Sequence, residues 1–239
     1  MMSTNNYNLM IQMLTKVANA LGDDLCQQFA FVGGCTTSLL LTDDTSKEDV
    51  RHTDDVDLVV SLTSSAEWYN LAERLRHLGF QQSPNNDDNV ICRFRLGELQ
   101  VDFMPDNQEI LGFTNIWYQE ALEHTTDFSL SNTLNIRLLT APYFLATKFE
   151  AFKGRGNDDL LSSRDIEDIC SLLDGRPEVV SEVHQANPVL KDYLSDMFEH
   201  LVNHTEYNYM LQGNINNEQR QQRLGRIVTA IINQWPMFQ

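Results

Sequence analysis

The apolar residues of this chain change their period near Pro105, and that change limits the fold more than any other feature of the sequence. Before it, short runs alternate: Val56, Leu58 and Val60 within residues 55–61, then Leu99, Val101 and Phe103 within residues 99–104. A period of two puts such residues on one buried face of a sheet. After it, apolar residues recur at helical spacing through residues 140–153, 163–173, 177–185, 188–201 and 218–234. The expected fold class is α+β, with a small mixed or antiparallel sheet lobe over residues 1–110 and a mostly helical lobe over residues 111–239.

Within the first part, Leu9, Met13, Val17 and Leu21 predict an amphipathic helix over residues 5–21, with Gly22 as its C-cap. Residues 28–32 read as a short apolar strand running into Gly33-Gly34, and residues 35–41 as helical. The polar stretch 42–54, with Asp43, Asp44, Glu48 and Asp49, reads as a solvated loop. A helix over residues 64–78 carries Trp68, Leu71, Leu75 and Leu78 and ends at Gly79. Residues 83–89 are turn-like, and residues 90–96 and 99–104 form a hairpin about Gly97-Glu98.

Composition excludes several classes. With 239 residues, 42% of them hydrophobic, the chain can bury roughly 70–75% of its unfolded surface and is not a disordered acidic tail. No run approaches the roughly 20 apolar residues of a membrane span, so no membrane partner is expected. Met1 to Leu14 lacks the basic and apolar regions of a secretion signal. Cys26, Cys35, Cys92 and Cys170 are too scattered for a disulfide framework and read as buried reduced thiols, which suits a cytoplasmic location. The formal net charge of −17 opposes a general nucleic-acid-binding surface.

Three acids fall on strands. Asp55 and Asp57, two apart, point to one face with Cα atoms about 6.6 Å apart. Asp102 sits on the polar face of another strand, within roughly 5 Å of one of them if the strands are neighbours. Three such carboxylates repel one another, and a divalent cation offsets the repulsion. Oxygen-only ligands select Mg²⁺ or Mn²⁺, and paired ions about 3.5–4 Å apart are a common clamp for phosphoryl transfer. The alternative is a solvated strand end with surface acids. Gly33-Gly34, between a strand and a helix, favours the first reading because glycine lets backbone N–H groups approach a phosphate.

The runs Phe31-Val32-Gly33-Gly34, Thr53-Asp54-Asp55-Val56-Asp57-Leu58-Val59-Val60 and Val101-Asp102-Phe103 together resemble the DNA polymerase beta-like nucleotidyltransferase superfamily. Residues 141–156, which include Lys148 and Arg155, and the run Ser163-Arg164-Asp165-Ile166-Glu167-Asp168-Ile169 are most similar to nucleotidyltransferase toxins of the AbiEii/AbiGii kind. The resemblance spans roughly residues 31–176 and leaves the tail unassigned. It implies transfer of a nucleoside monophosphate from an NTP, with the helical lobe completing the nucleotide and acceptor site. Asp55, Asp57 and Asp102 would hold Mg²⁺ or Mn²⁺, and Asp102 would also help deprotonate the acceptor hydroxyl. Gly33, Gly34, Thr36, Lys148 and Asp165 would contact the nucleotide, with Lys148 neutralising its triphosphate. Implied partners are an RNA or protein acceptor and a cognate antitoxin. Two departures stand out: the long acidic gap between Gly34 and Asp55, and Cys35 where a hydroxyl is frequent, so that Thr36 or Thr37 is expected to supply it.

Other side chains have plainer readings. Lys148 reads equally as a surface lysine, and Asp165 and Asp168 as first-turn acids behind a Ser162 or Ser163 cap, with Arg155 and Arg164 as ion-pair partners. His200 and His204, four apart, read as a solvated helix face rather than half a metal site, and His52, just before the Asp-x-Asp strand, reads as a surface residue, with a nucleotide contact as the alternative. Tyr193, Phe198, Tyr207 and Tyr209, with Trp235 and Phe238, read as core or interface. Two rivals to the toxin reading remain: a nucleotidyltransferase acting on a small cationic antibiotic, which an acidic cleft would attract, and a non-catalytic partner protein on the same scaffold.

Overall fold

The computed structural model describes residues 3–47, 49–82, 91–155 and 158–233. The expected turn at 83–89, Glu48 of the acidic stretch, and Trp235 and Phe238 lie outside them. In chain order the elements are α1 (Ser3–Leu21), α2 (Asp23–Cys26), β1 (Phe29–Val32), a 3₁₀ turn (Gly34–Thr36), α3 (Thr37–Leu40), α4 (Asp44–Lys47), β2 (Asp55–Val60), α5 (Ser65–His77), β3 (Arg93–Leu96) and β4 (Leu99–Pro105). They continue as α6 (Gln108–Leu111), α7 (Tyr118–Glu123), β5 (Thr125–Ser131), β6 (Leu134–Leu139), α8 (Ala141–Arg155), α9 (Arg164–Gly175), α10 (Val179–Gln185), α11 (Pro188–Asn203), α12 (Tyr207–Asn214) and α13 (Glu218–Asn233). The α+β class is as expected.

The chain divides into two compact units, residues 1–36 with 51–140, and residues 37–50 with 141–239. The sheet unit therefore runs to Thr140 rather than ending at residue 110. It holds one six-stranded mixed sheet of order β3-β4-β2-β1-β6-β5. The hairpin of β5 and β6 was read as part of the helical half. Its inner strand, β6, pairs parallel with β1 through Phe31 and Leu138.

Strand β1 is buried throughout and sits in the middle of the sheet. Phe103 gathers the rings of Phe29, Phe80 and Phe94 with centroids 5.2–5.5 Å away. Helix α5 adds Trp68, at 6.4 Å from Phe94, and Leu71, Ala72 and Leu75. Ser64 caps it, accepting from the Glu67 amide, while Glu67 accepts from the Thr63 amide. In α1 the buried stripe is Met10, Leu14, Val17, Ala18 and Leu21, so its face is rotated from the expected Leu9 and Met13. Gly22 ends the helix as expected, at φ 72°. These packed side chains cover one face of the sheet, and the other face of β2 and β4 carries Asp55, Asp57, Gln100 and Asp102 beside Val59 and Met104.

In the helical unit α8 is the central helix. It buries Phe144, Leu145, Phe149 and Phe152, and Phe149 meets Phe198 of α11 edge-on at 4.9 Å. The acidic stretch read as a solvated loop is partly a structural element of this unit. Thr42 and Asp43 donate their amides to the Gly175 carbonyl, and Thr42 donates its hydroxyl to Glu178. Asp174, with a side chain 1% exposed, accepts from Ser46, Arg220 and Arg223, while Arg220 also donates to Asp49. Burial alone would raise the Asp174 carboxyl, but its two arginines outweigh that and hold it below its ordinary 3.8.

A carboxyl depressed in this way contributes stability that is present above its ordinary value and is lost as pH falls through the lower native value. Asp174→Ala is expected to cost about 3–5 kcal/mol, because it strands partly buried arginines. Asp174→Asn is expected to flatten the loss of stability below pH 3.8, and urea unfolding of both variants across pH checks each expectation.

Candidate functional site

The polar face of β2 and β4 is built by strand pairing. The two strands run parallel in register, with Asp55 opposite Gln100, Asp57 opposite Asp102 and Leu58 opposite Phe103. Paired residues of neighbouring strands share a face, and the strands lie about 4.8 Å apart. Asp55, Asp57 and Asp102 therefore occupy one face, opposite the aromatic core. Asp102 is buried, and Asp55 and Asp57 are half-buried.

On the other side of β2, strand β1 runs antiparallel with Val32 opposite Asp57, so the chain leaves the sheet beside that aspartate. Gly33 follows at φ 77°. A β-carbon there would lie 2.1 Å from Asp57 Oδ2. The glycine thus makes room for the Asp57 carboxylate itself, where sequence reasoning expected room for a phosphate. Gly34 and Thr36 form the following 3₁₀ turn, in which the Thr36 hydroxyl donates to the Gly33 carbonyl at 2.9 Å and Cys35 Sγ donates to the Val32 carbonyl at 3.2 Å. The Thr37 hydroxyl is buried and makes no hydrogen bond among the described residues, so it retains the donor that Thr36 has already used.

Asp55 accepts the hydroxyl hydrogen of Thr53. Both oxygens of Asp102 accept from Arg93 on β3, Nε to Oδ1 at 3.0 Å and Nη2 to Oδ2 at 2.9 Å. Arg93 went unnoticed in the sequence, yet the hairpin announces it: counting back from the Leu96–Leu99 pair puts Arg93 opposite Asp102. Behind this row the Cys92 thiol is pushed up to about 12, chiefly by burial and then by the charge of Asp102. It is no nucleophile in this state. His52, exposed, lies 2.8 Å from Asp54.

Both oxygens of Asp102 are engaged by the Arg93 guanidinium, and Arg95, opposite Gln100, lies on the same face. Among the described residues no group of three or more His, Cys, Asp or Glu side chains is arranged to hold a metal ion. Carboxylate oxygens such as those of Asp55 and Asp57 are of the kind that suits a hard ion, Mg²⁺ or Mn²⁺.

Lys148 and Asp165, the other expected nucleotide contacts, belong to a buried network of the helical unit. Lys148 Nζ lies 2.6 Å from Asp168 and 3.3 Å from Asp165, and 5.7 Å from the centre of the Phe144 ring. Arg155 grips Asp165 with two hydrogen bonds at 2.9 and 3.0 Å. Burial pulls the Asp165 carboxyl upward, but Arg155 and Lys148 outweigh it and leave its pKa lowered. Ser163 caps α9 as expected.

His200 and His204 flank Asp158 at 3.9 and 3.6 Å. His204 Nδ1 accepts from the Glu206 amide, so a neutral ring carries its proton on Nε2, facing Asp158. His200 is exposed on α11, whereas His204 follows the end of that helix with its side chain 16% exposed, so the reading as a solvated helix face holds for His200 alone.

No family model and no curated protein matches the chain. Among solved structures it is similar to JHP933 from Helicobacter pylori, with 11% identity, a TM-score of 0.48, and coverage of 95% of this chain and 92% of that one. A second H. pylori structure, of a protein named only provisionally as a nucleotidyltransferase, has 11% identity, a TM-score of 0.44 and coverage of 94% of both chains. Both likenesses are too weak to carry a functional inference. No described helix is long and apolar enough to cross a membrane.

The contact between Gly33 and Asp57 has a measurable consequence. Gly22 shares the positive φ, at 72°, but a β-carbon there meets nothing within 4 Å. Gly22→Ala is therefore expected to cost about 1–3 kcal/mol, the backbone penalty alone. Gly33→Ala is expected to cost more, because the Asp57 carboxylate must move as well. Thermal or urea unfolding of the two variants side by side measures the difference.

Proposed function

We propose that the chain is a metal-dependent nucleotidyltransferase that moves a nucleoside monophosphate from an NTP to a hydroxyl of a macromolecular acceptor, releasing pyrophosphate. The observation that carries this reading is the single sheet face on which Asp57 lies opposite Asp102, with Gly33 closed against Asp57. An arbitrary Asp-x-Asp on a strand has no reason to be met by a second strand's aspartate in register and by a positive-φ glycine after a third.

In this reading Asp55 and Asp57 hold one Mg²⁺ or Mn²⁺, which when bound supplies positive charge to the triphosphate. Asp57 is fixed by β1 and Gly33, and Asp55 by the Thr53 hydroxyl. The Thr36 hydroxyl has spent its donor on the Gly33 carbonyl, so backbone amides of the turn after Gly33 are the phosphate donors in this reading. Lys148 and Asp165 act as structural charges of the helical unit, given their burial against Asp168 and Arg155.

The acceptor follows from charge. Nine acids against three bases fall in the first sixty residues, and a polyanionic RNA is repelled by such a segment. A protein hydroxyl is favoured, in a toxin restrained by a cognate antitoxin. The same acidity favours a small cationic acceptor as the second reading.

Incubation with each of the four α-labelled NTPs and Mg²⁺, in the presence of cell protein, total RNA or an aminoglycoside, tests both readings. Label is expected on protein, and Asp57→Ala is expected to lower it by at least ~10³-fold, the scale of losing a principal electrostatic element. Label on RNA or on the aminoglycoside alone overturns the acceptor. Absence of label on all three, with no NTP binding by calorimetry, overturns the nucleotidyltransferase reading.

A further inference from the structure

We infer that Arg95 on β3 recognises the acceptor, and that the acceptor it selects is a protein hydroxyl with an aspartate or glutamate within about three residues of it. This rests on the nucleotidyltransferase reading and names what that site accepts.

Register places Arg95 on the carboxylate face. It stands opposite Gln100 across the antiparallel β3–β4 ladder, and Gln100 stands opposite Asp55 across the parallel β4–β2 ladder. Phe94, between the two arginines of β3, is buried against Phe103 on the aromatic side, so Arg93 and Arg95 both point the other way. Strands β3 and β2 are two spacings apart, about 10 Å. Arg95 is exposed, and among the described residues its side chain makes no hydrogen bond or ion pair.

Two ordinary roles for such an arginine are already filled. A charge on an edge strand can guard it against pairing with another chain. At Arg95 that outer edge is paired: its amide donates to the Gln81 carbonyl and its carbonyl accepts from the Gln81 amide, both at 2.8 Å. The other role is to hold Asp102, and Arg93 does this with two hydrogen bonds.

The direction of transfer gives Arg95 its ligand. In the proposed reaction the acceptor oxygen forms a bond to the α-phosphorus as the bond from that phosphorus to the bridging oxygen breaks. Pyrophosphate leaves with the bonding electron pair, and the hydroxyl proton passes to solvent. The attacking and leaving oxygens lie roughly in line. In that reading the turn after Gly33 holds the leaving phosphates beside β1, and β1 lies across β2 from β4 and β3. The acceptor therefore enters over β4 and β3, where Arg95 stands. A carboxylate on the acceptor suits the two-point grip of the guanidinium.

Charge selects one carboxylate over a nucleic-acid strand. The turn of the β3–β4 hairpin adds Lys16, whose Nζ would lie 3.4 Å from a β-carbon at Gly97, and the exposed Glu98. A nucleic acid is held by a run of cations, on the order of six to ten phosphate contacts. Arg95 and Lys16 beside one acid make no such run. An extended peptide advances about 3.3 Å per residue, so a carboxylate about three residues from the reacting hydroxyl reaches Arg95 from the row of Asp57 and Asp102.

A pool of short peptides, each with one Ser, Thr or Tyr among randomised neighbours, tests this with the full chain, Mg²⁺ and each α-labelled NTP. Sequencing of the labelled fraction is expected to show Asp or Glu enriched about fivefold near the hydroxyl in wild type, the upper scale of an exposed ion pair. Arg95→Lys is expected to keep the acidic preference, Arg95→Gln to lose it, and Arg95→Glu to turn it toward Lys and Arg. Raised salt is expected to shrink it. NTP affinity without acceptor, by calorimetry, is expected to match wild type in all three variants.

No acidic enrichment in wild type, or the same enrichment in Arg95→Glu, would overturn the inference. A loss of NTP affinity in Arg95→Gln overturns it too, by placing the arginine on the triphosphate. Label on cell protein but on no peptide does the same, by placing recognition away from the neighbours of the hydroxyl. The nucleotidyltransferase reading survives each of these results. Label on RNA alone overturns the protein acceptor and this inference together, whereas no label on any acceptor and no NTP binding overturn the site as a whole.

Discussion

Because β2 and β4 run parallel and in register, Asp57 and Asp102 are held side by side whatever their charges prefer. The backbone hydrogen bonds of six paired positions fix that proximity, and the aromatic packing of Phe103 against Phe29, Phe80 and Phe94 on the opposite face prevents a slip. A shift of one residue would turn Phe103 to solvent and Asp102 into the core, which costs far more than two carboxylates gain by parting. The repulsion must therefore be met locally. Gly33 lets Asp57 lean toward β1, Thr53 engages Asp55, and Arg93 takes both oxygens of Asp102.

Much of this was legible in the sequence, and the misses have physical causes. Alternation in residues 55–60 and 99–104 identified β2, β4 and their polar faces, and Gly97-Glu98 identified the hairpin to β3. What alternation does not say is which strands become neighbours. The parallel β2–β4 pairing joins residues far apart in sequence, and only the structure supplies it. Strand β5 was missed because it lies at the sheet edge with no fully buried position, so Thr125–Ser131 shows no apolar face. Strand β6 is visible in hindsight through Leu134, Ile136 and Leu138, all buried. In α1 two apolar stripes, one residue apart, compete in the sequence. Packing chose the one that carries Met10 and Leu14.

The acidic stretch between Gly34 and Asp55 shows a different limit. Composition alone reads Asp43, Asp44 and Asp49 as solvated, and hydropathy cannot see that Ser46 and Asp49 meet groups more than a hundred residues later. The buried Asp174 is the cause. A carboxylate at the C-terminal end of α9 must find donors, and it finds Arg220 and Arg223 from α13 and Ser46 from α4. The segment is thus drawn into the helical unit by an ion pair, not by a hydrophobic face, and residues 37–50 join that unit while the strand after them returns to the sheet.

The net charge of −17 is handled in two ways by the same chain. In the helical unit the buried aspartates have basic partners close by: Asp174 has two arginines, and Asp165 and Asp168 share Lys148, with Arg155 added at Asp165. In the sheet unit strand pairing places three carboxylates on one face, where Arg93 grips Asp102 by two hydrogen bonds and Arg95 stands in the row of Gln100 and Asp55. The first arrangement is electrically closed and fits a structural role. The difference lies in what brings the aspartates to their places: inside the helical unit each is buried against its own basic partner, whereas on the sheet strand pairing gathers them in register.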